Sequence, residues 1–228
     1  MSTFEKVVRS VMQKDGIEFG GPTELFATNQ YGMQLYPYIN LDGGNIIKDN
    51  YFQSSIDSSN YLYGQQVGRQ YDVDCTQEDQ LKNLKKYDFV LTSHAIEHFA
   101  NPIKTLKLWE KYIIKEGGYI LSVIPDYQYC FDRKRPLTTI EHLIEDYAND
   151  VGEDDKTHIE EQKELHDWSY GGHPKFYELC EMNDKTRVVH HHTFDIELVE
   201  ELFAYCGFKK VLSFKHDELN IVNLSKLQ

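Results

Sequence analysis

The fold of this chain is decided by residues 87–125, which read YDFVLTSHAIEHFANPIKTLKLWEKYIIKEGGYILSVIP. The stretch begins with the run YDFVLTS and ends with YILSVI, and both are typical of buried strands. Between them, Asn101 followed by Pro102 predicts a helix start, because Asn caps free N–H groups and Pro fits the first helical position. Gly117 and Gly118 predict the end of that helix. Strand, helix and strand at this spacing predict a right-handed βαβ unit and therefore a parallel sheet.

Similar runs on both sides of this unit bring the number of predicted strands to seven. The five additional strands cover residues 16–19, 36–41, 70–75, 209–215 and 219–224. The last two are joined by a short turn, which favours an antiparallel hairpin. Further helices are predicted over residues 4–12, from the Thr-x-x-Glu capping box at residues 138–141 to about Asn149, and from Asp195 to Gly207. The predicted fold class is α/β, with a mostly parallel, Rossmann-like sheet and helices on both faces.

The composition limits the class of protein. A length of 228 residues with 40% hydrophobic residues suits a single domain, with the polar residues 126–189 as an insertion that caps a substrate site. A net charge of −13 argues against nucleic acid as the main partner, because phosphate binding needs a basic surface. No membrane-span run, signal peptide or closely spaced cysteine pair is visible in the sequence. We therefore expect a cytoplasmic protein with free thiols and no membrane partner.

Polar and small residues stand at the predicted carboxyl ends of the first four strands, where open α/β sheets bind ligands. In strand order these residues are Glu18, Gly20 and Gly21, then Asp42, then Asp74 and Cys75, then Ser93 and His94. Glycine without a Cβ atom lets a ligand approach the backbone closely, and a helix start offers free N–H groups. The sequence therefore predicts one ligand site along this edge of the sheet.

These residues resemble the motifs of class I S-adenosylmethionine-dependent methyltransferases. The acidic-x-Gly-x-Gly motif of that superfamily appears as Glu18-Phe19-Gly20-Gly21-Pro22, with Pro22 at the position of a third glycine. The resemblance implies that S-adenosylmethionine is the cofactor, with Asp42 on the ribose hydroxyls and Asp74 near the adenine. The cofactor-binding residues that it implies are Glu18, Gly20, Gly21, Pro22, Asp42, Asp74, Cys75 and Ser93.

A closer resemblance is to small bacterial methyltransferases linked to glycan biosynthesis. It rests on the GGP form of the first motif and on SHxxEHxxNP, FDxxRP and TxxEHLxED, all present in this chain. This resemblance implies O-methylation of a sugar or a sugar-like small molecule. The alternatives are N-methylation of an amino sugar or another small amine, and a binding module of the same fold without catalysis. The oligomeric state stays open, with a homodimer as one arrangement.

A hydroxyl acceptor needs a base, and histidine is suited to that role near neutral pH. The candidates are His94 at the end of the fourth strand, then His191 and His192 in the HHH run, with His98 less favoured. For acceptor binding the candidates are Tyr127, Arg133, Arg135 and His190. A metal site among His142, His158, His166 and the HHH run is the competing interpretation. Because their spacing matches no metal motif, no metal is predicted.

Overall fold

The computed structural model describes residue 8 and residues 14–28, 33–47 and 59–228. Within these residues the strands are β1 Asp15–Phe19, β2 Asn40–Asn45, β3 Asn60–Tyr63, β4 Gln66–Asp72, β5 Tyr87–Ser93, β6 Ile114–Pro125, β7 Phe208–Lys215 and β8 Asn220–Leu227. The α-helices are α1 Glu24–Ala27, α2 Glu78–Leu81, α3 Pro102–Leu108, α4 Ile140–Ala148, α5 Ile159–Leu165, α6 Phe176–Cys180, α7 Asn183–Thr186 and α8 Ile196–Tyr205. The helix predicted over residues 4–12 lies outside the described residues except for Val8, which is buried.

The strands form one mixed sheet in the order β3-β4-β2-β1-β5-β6-β8-β7. Strands β4, β2, β1, β5 and β6 run parallel, while β8 and β7 add an antiparallel pair at the end, as predicted. From β1 the chain order proceeds outward in both directions, so the β1–β5 boundary is the topological switch point of an open α/β sheet. The carboxyl ends of the parallel strands therefore meet at this boundary.

The sheet has eight strands among the described residues, so the predicted number of seven is wrong. The missed strand is β3, which pairs antiparallel with β4 across a two-residue turn that contains Gly64. Only four residues long, β3 is too short to give a clear alternating pattern, and its stability depends on the neighbouring strand.

The predicted boundary of the second strand is also wrong. The residues predicted to form it begin with a three-residue 3₁₀ turn, Tyr36–Tyr38, and the strand itself covers Asn40–Asn45. Gly43 and Gly44 lie inside the strand, where aromatic rings occupy the space that their side chains would take. A Cβ atom on Gly43 would lie 2.0 Å from the ring of Tyr61, and one on Gly44 would lie 2.5 Å from the ring of Phe19. The third predicted strand, residues 70–75, likewise shifts to Gln66–Asp72.

The helices of the βαβ unit and of the C-terminal half begin at their predicted residues. The predicted end of the first of these helices is wrong, because Gly117 and Gly118 lie inside β6. The Asn101 side chain accepts a hydrogen bond from Lys104 N at the start of α3, and Asp195 caps α8 in the same way through Leu198 N. Helix α3 continues into a π-helical turn, Trp109–Ile113. Helix α4 is capped by Thr139 and not by Thr138, whose side chain pairs with Thr193 instead. None of the helices among the described residues is long and apolar enough to cross a membrane.

Candidate functional site

A cavity of about 450 Å³ opens at the carboxyl edge of the sheet beside the switch point. Its volume lies in the usual range for small-molecule sites. One part, here called the strand-end wall, consists of Gly20, Gly44, Asn45, Asp74, Cys75, Thr76, His94 and Ala95. The other part, the insertion wall, includes Phe131, His166, His173, Phe176, Arg187 and His190.

The loop after β1 contributes Gly20 to the strand-end wall. Gly20 has a φ of +81°, a conformation that side chains disfavour, and its added Cβ atom would lie 3.2 Å from that of Ala95. Gly21 packs instead against Glu18. A Cβ atom on Gly21 would lie only 2.3 Å from the carboxyl carbon of Glu18. Pro22 is exposed and does not line the cavity. Among the glycine-motif residues, Gly20 is therefore the position at which the backbone borders the cavity.

Glu18 lies beneath this loop and outside the cavity wall. It is fully buried, and its carboxylate accepts hydrogen bonds from Tyr61 at 2.6 Å and from Tyr36 at 2.9 Å. The Tyr36 hydroxyl also accepts a hydrogen bond from Thr23 N at 2.7 Å. Burial raises the pKa of Glu18 to about 7, because the hydroxyl donors only partly offset the loss of solvation. Glu18 thus supports the shape of the loop from behind.

Asp42 does not line the cavity, in contrast to the position predicted for it. It pairs with Ile17 in the middle of β2, where Tyr87 donates a hydrogen bond to its carboxylate at 2.8 Å and Lys85 lies 3.1 Å away. The residue at the end of β2 is Asn45, which sequence reasoning missed because the strand was placed too early. Asn45 is 4% exposed, and its side-chain oxygen has no hydrogen-bond partner among the described residues.

Asp74 and Cys75 line the cavity as predicted, and Asp74 is held by two neighbours. Thr76 donates to its Oδ1 at 2.7 Å, and Arg187 pairs with its Oδ2 at 2.6 Å. Arg187 also forms an ion pair with Glu153. Burial raises the pKa of the Cys75 thiol well above its usual value, so that side chain stays neutral. Arg187, 113 positions from Asp74, thus joins the insertion wall to the strand-end wall, a contact that no sequence signal indicated.

His94 lines the cavity at the end of β5, while the neighbouring Ser93 is buried outside the wall. The backbone of His94 has a φ of +49°, and its ring Nε2 lies 2.8 Å from the Asn220 side-chain oxygen. Glu97 lies below it, 1% exposed, and neither carboxylate oxygen has a hydrogen-bond partner among the described residues. Burial raises the pKa of Glu97, while His190 and His94 act in the opposite direction.

His190 is the member of the HHH run that lines the cavity. Its Nδ1 lies 2.5 Å from Oδ2 of Asp132, so Nδ1 donates the hydrogen bond and, in the neutral ring, Nε2 carries the lone pair. Arg135 and Gln162 donate to the other carboxylate oxygen of Asp132. Burial alone would raise the pKa of Asp132, but His190 and Arg135 outweigh it and hold the pKa below its usual value. The result is an ionised carboxylate that orients a histidine toward the cavity.

His191 and His192, the predicted catalytic residues of this run, lie outside the cavity wall. Both are 1% exposed. His191 contacts the Asn183 side chain at 3.0 Å, and burial lowers its pKa to about 3. His192 Nε2 lies 3.2 Å from Ala100 O, and burial lowers its pKa as well.

Three of the residues predicted to bind the acceptor also lie away from the cavity. Arg135 is 3% exposed, and its guanidinium binds Asp132, Glu161, Gln162 and the carbonyls of His190 and His191. Arg133 faces Asp167 and Tyr170 at the surface. Tyr127 is part of a 3₁₀ turn and does not line the cavity. The RKR run at residues 133–135 therefore stabilises the insertion rather than facing a ligand.

The strand order and the position of the cavity are those of doubly wound α/β proteins, a class that binds nucleotide-like ligands at the switch point. A sequence profile described as a methyltransferase domain matches residues 11–213. The chain belongs to this methyltransferase-domain family. It is an S-adenosylmethionine-dependent methyltransferase, and S-adenosylmethionine is its cofactor, which confirms the prediction from the motifs.

Solved structures share this fold at low identity. A putative S-adenosylmethionine-dependent methyltransferase from Listeria monocytogenes is 12% identical with a TM-score of 0.51, over 98% of this chain and 95% of that one. A possible histamine N-methyltransferase from Thermotoga maritima is 17% identical with a TM-score of 0.50, over 98% and 86%. Human N-acetylserotonin methyltransferase is 12% identical with a TM-score of 0.48, over 99% and 52%. None of the curated proteins compared with the chain matches it in sequence.

Proposed function

We propose that this methyltransferase transfers the methyl group to a hydroxyl of a sugar or sugar-like small molecule, with His190 as the base. The main observation behind this proposal is that the His190 side chain lines the cavity and that its Nδ1 lies 2.5 Å from Oδ2 of Asp132. A hydroxyl must lose its proton as it attacks carbon, whereas an amine that arrives neutral needs no strong base. An oriented histidine beside the methyl site therefore favours a hydroxyl acceptor.

The cofactor would lie along the strand-end wall. Gly20 lets it approach the backbone, and the unpartnered oxygen of Asn45 suits a hydroxyl donor such as a ribose hydroxyl. Asp74 and Thr76 border the same part of the cavity. S-adenosylmethionine supplies an activated methyl group and leaves as a neutral thioether, because the electron pair of the broken C–S bond stays on sulfur.

The acceptor would lie between this wall and the insertion wall. His190 Nε2 takes the proton of the acceptor hydroxyl while the new C–O bond forms, and ionised Asp132 stabilises the resulting imidazolium. The buried carboxyl group of Glu97 is a second acidic group near His190 and His94.

Aromatic rings support a sugar-like acceptor. Phe131 stacks on His166 with ring centroids 4.7 Å apart, and Phe176 lies 4.4 Å from His166. All three line the cavity and offer apolar faces of the kind on which sugar rings pack. The resemblance to glycan-biosynthesis enzymes points to the same acceptor class, and the net charge of −13 disfavours nucleic acid.

The test incubates the protein with methyl-labelled S-adenosylmethionine and a mixture of nucleotide sugars, and identifies the labelled product. His190→Ala is then compared with the wild type. We expect kcat to fall at least about 100-fold, because the general base is lost, while the affinity for S-adenosylmethionine changes less than about twofold. His216→Ala, in the turn between β7 and β8, is the matched control and should keep the wild-type kcat.

The outcomes separate the competing functions. A labelled amine together with an unchanged kcat in His190→Ala would identify an N-methyltransferase instead. If no sugar gains label and the protein still binds S-adenosylmethionine, the sugar acceptor is wrong. Transfer to no acceptor of any class would favour a binding module.

A further inference from the structure

Three imidazoles outside the cavity wall lie close together within the insertion and the HHH run, and the Asp146 carboxylate lies beside two of them. His142 and Asp146 lie one turn apart on α4, His158 directly precedes α5, and His192 precedes α8. The three imidazole centroids form a nearly equilateral triangle with sides of 5.2, 5.6 and 5.7 Å. One nitrogen from each ring lies within 4.8 Å of the other two.

Three of the distances between the donor atoms are close to those of a tetrahedral metal site. His142 Nε2 lies 3.2 Å from His158 Nε2, and Asp146 Oδ2 lies 3.5 Å from His142 Nε2 and 3.6 Å from His192 Nε2. Zinc binds nitrogen and oxygen at about 2.0–2.2 Å, which places neighbouring ligand atoms of a tetrahedron about 3.3 Å apart. We propose that His142, Asp146, His158 and His192 bind one zinc ion in a four-ligand site.

An unsatisfied oxygen beside the three imidazoles independently indicates a cation. Asp146 Oδ2 is buried and has no hydrogen-bond partner among the described residues, although two imidazole nitrogens point toward it. Hydrogen bonds from these two rings do not satisfy the oxygen, because 3.5 and 3.6 Å are too long for such bonds. A zinc ion between the four atoms would satisfy this oxygen and the three ring nitrogens together.

Two contacts compete with the metal. His142 Nε2 and His158 Nε2, 3.2 Å apart, can share a proton in a hydrogen bond when no metal is bound. His192 Nε2 lies 3.2 Å from Ala100 O, so a proton on this nitrogen can serve that carbonyl when no metal is bound. Zinc binding requires the tautomer with the proton on Nδ1. A neighbouring group, Glu97, His98 and His190, also has metal-ligand chemistry, but its two histidines line the cavity and belong to the proposed acceptor site.

The zinc ion would have a positioning role. Four protein ligands leave no open position for a substrate, which is typical of structural zinc sites. The site joins α4 and the residue before α5 to His192, two residues after His190. Zinc would therefore fix the segment that carries His190 to the insertion. This inference does not depend on the identity of the acceptor, so it can fail while the proposed function holds.

The experiment measures zinc binding by the full chain. The protein is dialysed against a chelator, then titrated with Zn²⁺ alone by calorimetry, and the metal content is measured after gel filtration. We expect about one zinc ion per chain, with X-ray absorption showing nitrogen and oxygen ligands at about 2.0–2.2 Å and no sulfur. His142→Ala and the nearly isosteric Asp146→Asn should each weaken zinc binding at least about 100-fold, because a direct ligand is lost.

The controls separate this site from other binding. His216→Ala should bind zinc like the wild type, and circular dichroism checks that Asp146→Asn remains folded. Binding that is equal in Asp146→Asn and the wild type would overturn the proposal, as would the absence of stoichiometric zinc in the wild type. If His190→Ala loses zinc while His142→Ala keeps it fully, the metal binds in the cavity, and the assignment is wrong.

Discussion

The strand-end wall of the cavity consists largely of glycine backbone and short side chains, whereas the insertion wall consists of aromatic rings and imidazoles. The first wall borders the proposed position of the cofactor, and its shape follows from the sheet and from a few positions without a Cβ atom. The second wall borders the proposed acceptor, and its chemistry depends on side chains that are brought together from distant parts of the chain. The difference explains why sequence motifs identify the cofactor and leave the acceptor to be found by geometry.

The largest effect that this comparison predicts is at Gly20. Gly20→Val should reduce the affinity for S-adenosylmethionine at least about 100-fold, because the side chain is strained at a φ of +81° and occupies space beside Ala95. Isothermal titration calorimetry measures the affinity. Gly207→Val is the matched control, with a φ of +87° and nothing within 4 Å of the added Cβ atom, and should bind the cofactor normally. Equal loss in both variants would mean that backbone strain, and not the cavity, decides the result.

A second prediction concerns the pH dependence of stability. Burial raises the pKa of Glu18 to about 7 in the folded chain, above the ordinary value of 4.5, so the folded state binds the proton more tightly. This contribution to stability is complete below the unfolded pKa and is lost as the pH rises through about 7. Between pH 5 and 7 the wild type should lose roughly 2 kcal/mol through this group.

Glu18→Gln should lack this part of the pH dependence, because the amide does not titrate. Urea unfolding at pH 5, 6, 7 and 8 measures the free energy of unfolding for both proteins. The difference between them isolates Glu18 from all other titrating groups. Parallel curves for the two proteins would show that the Glu18 carboxyl does not have a raised pKa.

The smallest expected effect distinguishes the role of Asn45 in cofactor binding from the role of Asp42 in stability. Asn45→Ala should weaken cofactor binding by about 1–2 kcal/mol, because its unpartnered oxygen lies at the end of β2. Asp42→Ala should leave the cofactor affinity unchanged and lower stability by about 1 kcal/mol, through loss of the Tyr87 hydrogen bond. Calorimetry and thermal unfolding measure the two quantities. If only Asp42→Ala binds the cofactor more weakly, then Asp42, and not Asn45, contacts the ribose.

Local signals predicted much of the fold. The βαβ unit, the caps of α3 and α8, the C-terminal hairpin and the positions of Gly20 and Asp74 depend on short-range patterns or on the rule for parallel strands. The short strand β3 and the glycines inside β2 depend on tertiary packing, which has no local signal.

The acceptor side was harder to predict for the same reason. Asp132 meets His190 across 58 positions, and Arg187 meets Asp74 across 113. The sequence showed an HHH run, but adjacent residues in an extended segment face different directions, so it could not tell which ring lines the cavity. The RKR run likewise resembled an anion site, and only the fold shows that Arg135 is enclosed by partners.

The contact of Tyr36 and Tyr61 with Glu18 has an evolutionary consequence. The three side chains come from different elements, yet each hydroxyl uses the same carboxylate as its acceptor. Replacement of Glu18 alone leaves two buried hydroxyls without that acceptor, and loss of one tyrosine removes a donor from a buried charge. Selection therefore acts on the three positions as one unit. In related chains we expect the glutamate and both tyrosines to be inherited together, or to be replaced together by an apolar set.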